Sequence, residues 1–145
     1  MNNKELFVSY CLKFVGVPYK WGGDDPIHGF DCSGGVQEIL AAFGCDPNGD
    51  QTSDALYHHF KKDGAGHTHL DTGAICFYGK ESRITHVGIA LNPHVMFEFG
   101  GGGSKTTDKE SAAIHNAYGR IRPVRRRSDL VTAIIPARLY DYLNQ

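Results

Sequence analysis

The chain has little of several things that would mark it for common tasks. Cysteine is sparse: Cys11, Cys32, Cys45 and Cys76 are spread over 145 residues without a C-x-x-C pair. That pattern speaks against a zinc ribbon, a thioredoxin-type redox motif and a disulfide-stapled scaffold, and reduced thiols are the expectation. Excess charge is missing too. With 15 Lys and Arg against 16 Asp and Glu, nothing draws the chain as a whole to nucleic acid or to an anionic membrane surface. The one local exception, Arg120, Arg122, Arg125, Arg126 and Arg127, reads as a solvated strand and turn. No run reaches the about 18 apolar residues a membrane span needs. The opening "MNNKELFVSYCLKFVG" lacks the basic segment, apolar run and small-residue cleavage site of a secretory signal. The expectation is a protein that is cytoplasmic as synthesised.

Eight histidines raise the question of a metal. The visible groups, His58–His59 and His67 with His69, form no H-x-x-x-H pair with an acidic partner and meet no cysteine pair, so no metal is expected. "DPNGDQTSDALY" begins like a calcium loop at Asp46, Asn48 and Asp50, but Gln51 stands where the loop needs glycine and Tyr57 where it needs a bidentate glutamate.

What is present is enough for one domain over 1–145, with 41% hydrophobic residues to fill a core. From Lys4 to Val15 the residues Leu6, Phe7, Tyr10, Cys11, Phe14 and Val15 recur at helical spacing, and Gly16 and Pro18 end the pattern. A second helix is expected from Cys32 to Phe43, with Val36, Ile39, Leu40 and Phe43 on one face and Gly44 as its stop. A third runs from Ser53 to Lys62 behind Thr52 or Ser53 as cap. The second half changes period. "GAICFYG", "THVGIAL", "VMFEFG", "GRIRPV" and "VTAIIPARL" are short runs rich in β-branched and aromatic residues, with a short helix expected in "ESAAIHNAYG". Helices followed by strands predict an α+β domain on an antiparallel sheet. "GGGGSKTT", Gly100 to Thr107, reads as a mobile loop within that domain.

One position carries chemical promise. A cysteine in the first turn of a helix meets unpaired backbone N–H groups and the positive end of the helix dipole, which favour thiolate over thiol. Cys32 is so placed, and the same N–H groups can hold a developing oxyanion. A nucleophilic cysteine also needs a base and a group to orient that base. His86 begins an apolar strand, "NPH" makes a turn, and Glu98 interrupts the next apolar run. With the turn centred on Asn92–Pro93, positions summing to roughly 184–186 face one another. Glu98 or Gly100 then lies across from His86. A carboxylate there can fix the imidazole tautomer and favour imidazolium.

The blocks "GVPYKWGG", "GFDCSGGVQ" and "HVGIAL" together resemble the three signature blocks of the NlpC/P60 cysteine peptidases, in the same order, and the likeness runs from the first helix to "VTAIIPARLYDY". The resemblance implies a compact papain-like core, N-terminal helices packed on a mostly antiparallel sheet. It also implies hydrolysis of amide bonds in bacterial cell-wall peptide stems, commonly between D-glutamate and a diamino acid. Residue by residue it makes Cys32 the nucleophile, His86 the base and Tyr19 the oxyanion-side tyrosine; Trp21, Asp31 and Ser33 are further candidate substrate-binding residues by their place around Cys32. Trp21 supplies a wall and Asp31 fixes the approach to the helix. The family's third polar residue is usually His, Asn or Gln, and Glu98 occupies its position. Gly73–Ala74 replaces the usual Gly-Asp, and Gly35 stands where Leu is usual, which predicts looser packing at the helix start.

The implied protein is a monomeric thiol endopeptidase acting on peptidoglycan or muropeptides, with no cofactor and no nucleic-acid partner. Two rivals stand beside it: a catalytically silent wall-binding or virion structural module, and an acyl- or amide-transferring thiol enzyme on the same fold. A bare domain suits a phage-encoded wall hydrolase, an exported effector or a cytoplasmic recycling enzyme.

Overall fold

The computed structural model describes residues 1–25 and 27–145. Asn2 opens the first helix, α1 (Asn3–Leu12), through a capping box with Glu5: the Glu5 N–H donates to Asn2 Oδ1 at 2.8 Å and the Asn2 N–H to Glu5 Oε2 at 3.1 Å. The helix stops earlier than its apolar spacing predicts. Phe7, Cys11 and Phe14 are buried, whereas Leu6 and Val15 lie at the surface, and the chain turns over residues 13–16 before Gly16 takes a φ of +87°. A two-stranded ribbon follows, β1 (Asp24–Asp25) with β2 (Gly29–Phe30). It leads into α2 (Cys32–Ala42), whose buried face is Val36, Ile39 and Leu40. Thr52 caps α3 (Ser53–Phe60) by accepting from the Ala55 N–H at 3.0 Å.

The remaining strands form one sheet: β3 (Gly66–Thr68), β4 (Ile75–Lys80), β5 (Arg83–Ala90), β6 (Val95–Gly100), β7 (Tyr118–Pro123) and β8 (Leu130–Pro136). Their spatial order is β3-β8-β4-β5-β6-β7, antiparallel throughout. The short helix α4 (Lys109–His115) precedes β7. Four successive residues of β4, Ile75 to Tyr78, are all buried, so this strand is covered on both faces and shows no polar alternation. The α+β class expected from the sequence is the class observed.

Two elements correct the sequence reading. The three-residue β3 lies on "GHT", a stretch with too little apolar patterning to mark a strand. The closing run does not stay extended through Leu139: β8 ends at Pro136, which cannot donate to a ladder, and Ala137–Leu143 forms α5. Leu139 and Leu143 of α5 are buried. Phe43 joins the N- and C-terminal helices, its ring centroid 5.1 Å from Phe7 and 5.4 Å from Tyr142.

One irregularity positions the site. β6 pairs with β7 along its whole length, yet it meets β5 only at Ile89↔Phe97 and Ala90↔Met96. On the other side of β5 the ladder with β4 runs from Arg83 to Ile89. The N-terminal half of β5 thus lacks a β6 partner, and the start of α2 reaches the sheet where the two strands part.

Candidate active site

Asp31 fixes the start of α2. Its carboxylate accepts from the Gly34 N–H at 2.7 Å, the Gly22 N–H at 3.2 Å and the Ser33 hydroxyl at 3.3 Å, and burial raises its pKa despite these donors. Cys32 is the first helical residue, partly buried, and the Ser53 hydroxyl lies 3.4 Å from its sulfur. Gly35 does not loosen this region. The ring of Phe99 fills the space where a side chain would go: a Cβ on Gly35 would sit 2.2 Å from Phe99 Cδ2. The expected slack is absent because an aromatic from β6 replaces the helix's own side chain.

His86 and Glu98 come together across the strand gap, with Nε2 3.3 Å from Oε1. The register sum is 186, as the Ile89↔Phe97 pair shows. Extending it by one residue sets Glu98 against Gly88, where a Cβ would lie 3.4 Å from that of Glu98 and 2.7 Å from Met96 Sδ. The missing side chain at Gly88 gives Glu98 room to reach diagonally to the imidazole. Since Nε2 faces the carboxylate, Nδ1 is the nitrogen left for Cys32. Glu98 is 3% exposed and holds a second cation, for Arg120 Nε and Nη2 both lie 3.3 Å from Oε2.

The electrostatics of these groups are mutually dependent. Burial opposes charge on Cys32, but the hydrogen bond and positive charge of His86, helped by the Ser53 hydroxyl, outweigh it and bring the thiol below its usual range. Burial alone would lower His86; interactions with Cys32 and Glu98 reverse this and push it up to about 9. Burial likewise works against ionisation of Glu98, and His86 and Arg120 hold it below the usual carboxylate range. A thiolate, an imidazolium and a carboxylate in this row each favour the charge of the next. The other thiols differ: burial drives Cys11 and Cys76 up to about 12 and raises Cys45.

The cleft has two halves that meet at Cys32, with Tyr19, Trp21 and Thr85 common to both. One half, about 260 Å³, is walled by His86, Glu98, Phe99, Gly100–Gly102 and three arginines. The other, about 400 Å³, runs past Asp31, Ser33, Thr52, Ser53, Arg83 and Ile84. Tyr19 is buried, and burial together with the nearby Cys32 and Asp31 charges keeps its phenol protonated. Trp21 is 54% exposed, a free indole on the cleft wall. The structure thus brings Tyr19, Trp21, Asp31, Cys32, Ser33, His86 and Glu98 to one locus.

The sequence reading missed Ser53, Arg120 and Arg126. Ser53 looks like a helix-cap residue, and its place beside Cys32 comes from the packing of α3. The basic cluster is only in part the solvated strand and turn expected: Arg125 and Arg126 are exposed, but Arg120 pairs with Glu98, and Arg126 and Arg127 line the cleft. Opposite charges at Glu98 and Arg120, which face each other in β6 and β7, were the readable signal. The end of the glycine-rich loop expected to be mobile makes defined contacts: the Trp21 N–H donates to Thr106 O at 2.6 Å, and the buried Thr106 hydroxyl lies 2.8 Å from His115 Nδ1. The histidine groups weighed for metal have other neighbours, His58 with Asp54 at 3.3 Å and His67 stacked on Tyr140.

A helix-start thiol, a strand imidazole and a buried carboxylate meet in one cleft on a helix-plus-sheet core. The NlpC/P60 family model matches residues 16–124, and the chain belongs to that family. Among curated relatives, it is 32% identical over 128 residues to the bifunctional muramidase/DL-endopeptidase CwlT of Bacillus subtilis, covering 84% of this chain and 38% of the relative. It is 34% identical over 103 residues to the probable endopeptidase YafL of Escherichia coli, covering 67% of this chain and 39% of the relative. The chain therefore spans well under half the length of these two relatives. Among solved structures, the NlpC/P60 domain of the peptidoglycan hydrolase SagA superimposes with a TM-score of 0.63 at 22% identity, covering 90% of this chain and 97% of that domain. Among the described residues, no helix is long and apolar enough to cross a membrane.

Proposed function

We propose that this chain is a thiol endopeptidase that cleaves the peptide stems of bacterial cell walls, at the amide between D-glutamate and a diamino acid. The observation that carries the reading is the run of Ser53, Cys32, His86 and Glu98, in which the thiol is acidified and the imidazole made more basic by one another. The relatives' names, DL-endopeptidase and probable endopeptidase, support the substrate class.

The Cys32 thiolate adds to the carbonyl carbon, and the oxyanion takes hydrogen bonds from the Cys32 N–H and the protonated Tyr19 hydroxyl. The C–N bond then breaks, the His86 proton passes to the leaving amine, and a thioester remains on Sγ. Water attacks the thioester, gives its proton to His86, and expels the thiolate with release of the acid. Glu98 holds the imidazole with Nδ1 toward sulfur and stabilises its charge.

Digestion of purified peptidoglycan with mass spectrometry of the soluble products tests this. New termini at D-glutamate and the diamino acid are expected with wild type and none with Cys32→Ala. Products that survive Cys32→Ala, or cleavage only elsewhere in the stem, overturn the assignment.

A further inference from the structure

The cleft half on the His86 side has more positive charge than the chemistry there consumes. Cys32 and His86 offset one another, as do Glu98 and Arg120. Arg127 is committed to Asp129 through two contacts, at 2.9 and 2.8 Å, and lies over the Tyr78 ring. Arg126 remains. It lines the same half, is exposed, and among the described residues has no ion-pair partner within 4.0 Å. Burial is the main influence lowering the pKa of Arg120, and the charges of Arg122 and, less, Arg126 add to it. The turn that presents it is held rigidly: in the short 3-10 turn Val124–Arg126, Val124 is buried, its N–H donates to His94 O at 2.9 Å, and its carbonyl accepts from the Tyr78 hydroxyl at 2.6 Å. Arg126 also lies beyond residues 16–124, the segment shared with the family model.

Which part of a substrate meets Arg126 follows from the proton transfer. His86 must protonate the leaving nitrogen, so the residue carrying that nitrogen occupies the half lined by His86. A guanidinium on a concave cleft wall with no carboxylate partner favours an anion, and its planar donor pair matches a carboxylate.

We propose that Arg126 makes this half of the cleft a carboxylate site, selecting stems whose leaving diamino acid carries a free carboxylate. This inference rests on the endopeptidase reading for the direction of the substrate. A charge-assisted hydrogen bond contributes about 1.5–3 kcal/mol, which corresponds to a preference of about 10- to 150-fold over a neutral isostere.

Four synthetic peptides test it, all with an L-alanyl-γ-D-glutamyl acyl part. Their leaving residues are meso-diaminopimelate as its α-amide with the side-chain carboxylate free, the same α-amide with that group amidated as well, L-lysine as its α-amide, and L-lysine with a free α-carboxylate. Turnover is measured with wild type, and binding by calorimetry with Cys32→Ala, which needs no chemistry. The carboxylate-bearing peptides should be preferred at least about 10-fold, the preference should shrink as salt is added, and Arg126→Gln should collapse it toward one. Arg125→Gln, at an exposed neighbour outside the cleft, should keep it. Preference for the first peptide alone assigns a side-chain carboxylate; preference for the fourth alone assigns a chain terminus. Equal binding of all four to Cys32→Ala, or an undiminished preference in Arg126→Gln, overturns the inference. Discrimination in binding with no turnover of any peptide leaves the carboxylate site standing and removes the endopeptidase reading.

Discussion

Replacing Glu98 with Gln should produce a defect that depends steeply on pH. The carboxylate is 3% exposed and shared between His86 and Arg120. Gln keeps an acceptor for the ring but removes the charge, leaving Arg120 to face the imidazole uncompensated. His86 is pushed up to about 9 in the native site, against an ordinary value of 6.5. Cys32 still raises the imidazole in the variant, so a full return to the ordinary value, at which the imidazolium fraction at pH 8 falls from about nine-tenths to about 3%, sets an upper limit of about 30-fold on the loss of kcat/KM through this route. At pH 6 both enzymes are largely protonated, and the same route costs under about 1.5-fold. The assay is kcat/KM against pH for both proteins on one soluble stem peptide. Wild type should hold its activity until its alkaline limb near 9, and the variant should lose it at lower pH. Folding should follow the same sign. A raised imidazole stabilises the native state fully below its unfolded value and loses that contribution as pH rises through its folded value, so wild type should lose it between about 6.5 and about 9, whereas in Glu98→Gln, with the imidazole nearer its ordinary value, both the contribution and its pH dependence should be smaller. A defect of equal size at pH 6 and pH 8 would refute the reasoning and reduce Glu98 to a packing role.

Mild iodoacetamide treatment with peptide mapping should label Cys32 first, because burial drives Cys11 and Cys76 up to about 12 and raises Cys45; modification of Cys45 with Cys32 untouched would contradict the activated thiol. Ser53→Ala should shift thiolate absorbance near about 240 nm to higher pH and lower kcat/KM by about 2- to 12-fold, the worth of one hydrogen bond; an unmoved titration would show that the 3.4 Å contact does not act on the sulfur. Gly35→Ala should cost about 1–3 kcal/mol of stability, because Phe99 is held against Phe30 and Phe97 at 5.3 and 5.4 Å and has little room to retreat. In differential scanning calorimetry Phe99→Leu should recover part of that loss in the double variant, and strictly additive losses would exclude the proposed contact.

Much of the fold was legible because its signals are local. Asp31 before Cys32, Thr52 before Ser53 and Gly44 after Phe43 mark helix ends through their own hydrogen bonds or backbone freedom. The apolar runs of β4, β5 and β6 mark strands through burial. The C-terminal end was misread for the same local reason: Ile134 and Ile135 look like continued strand, and only the missing N–H of Pro136 and the burial of Leu139 and Leu143 turn the rest into a helix. At the site, Cys32 and His86 could be named from their neighbours in the chain, and Glu98 from the arithmetic of one hairpin.

The sequence by itself determined the helix-start thiol, the order of helices α1 to α4 and strands β4 to β8, and the hairpin that carries His86 and Glu98, because each depends on residues close together in the chain. Tertiary structure alone decided what surrounds that thiol. Ser53 reaches Cys32 through the packing of α3, Phe99 fills the space above Gly35 through the meeting of α2 with β6, and Arg126 enters the cleft because Val124 is clamped by His94 and Tyr78. These contacts join residues tens of positions apart, and no local pattern encodes them; they exist only once the apolar faces have found one another and fixed the distances between polar groups.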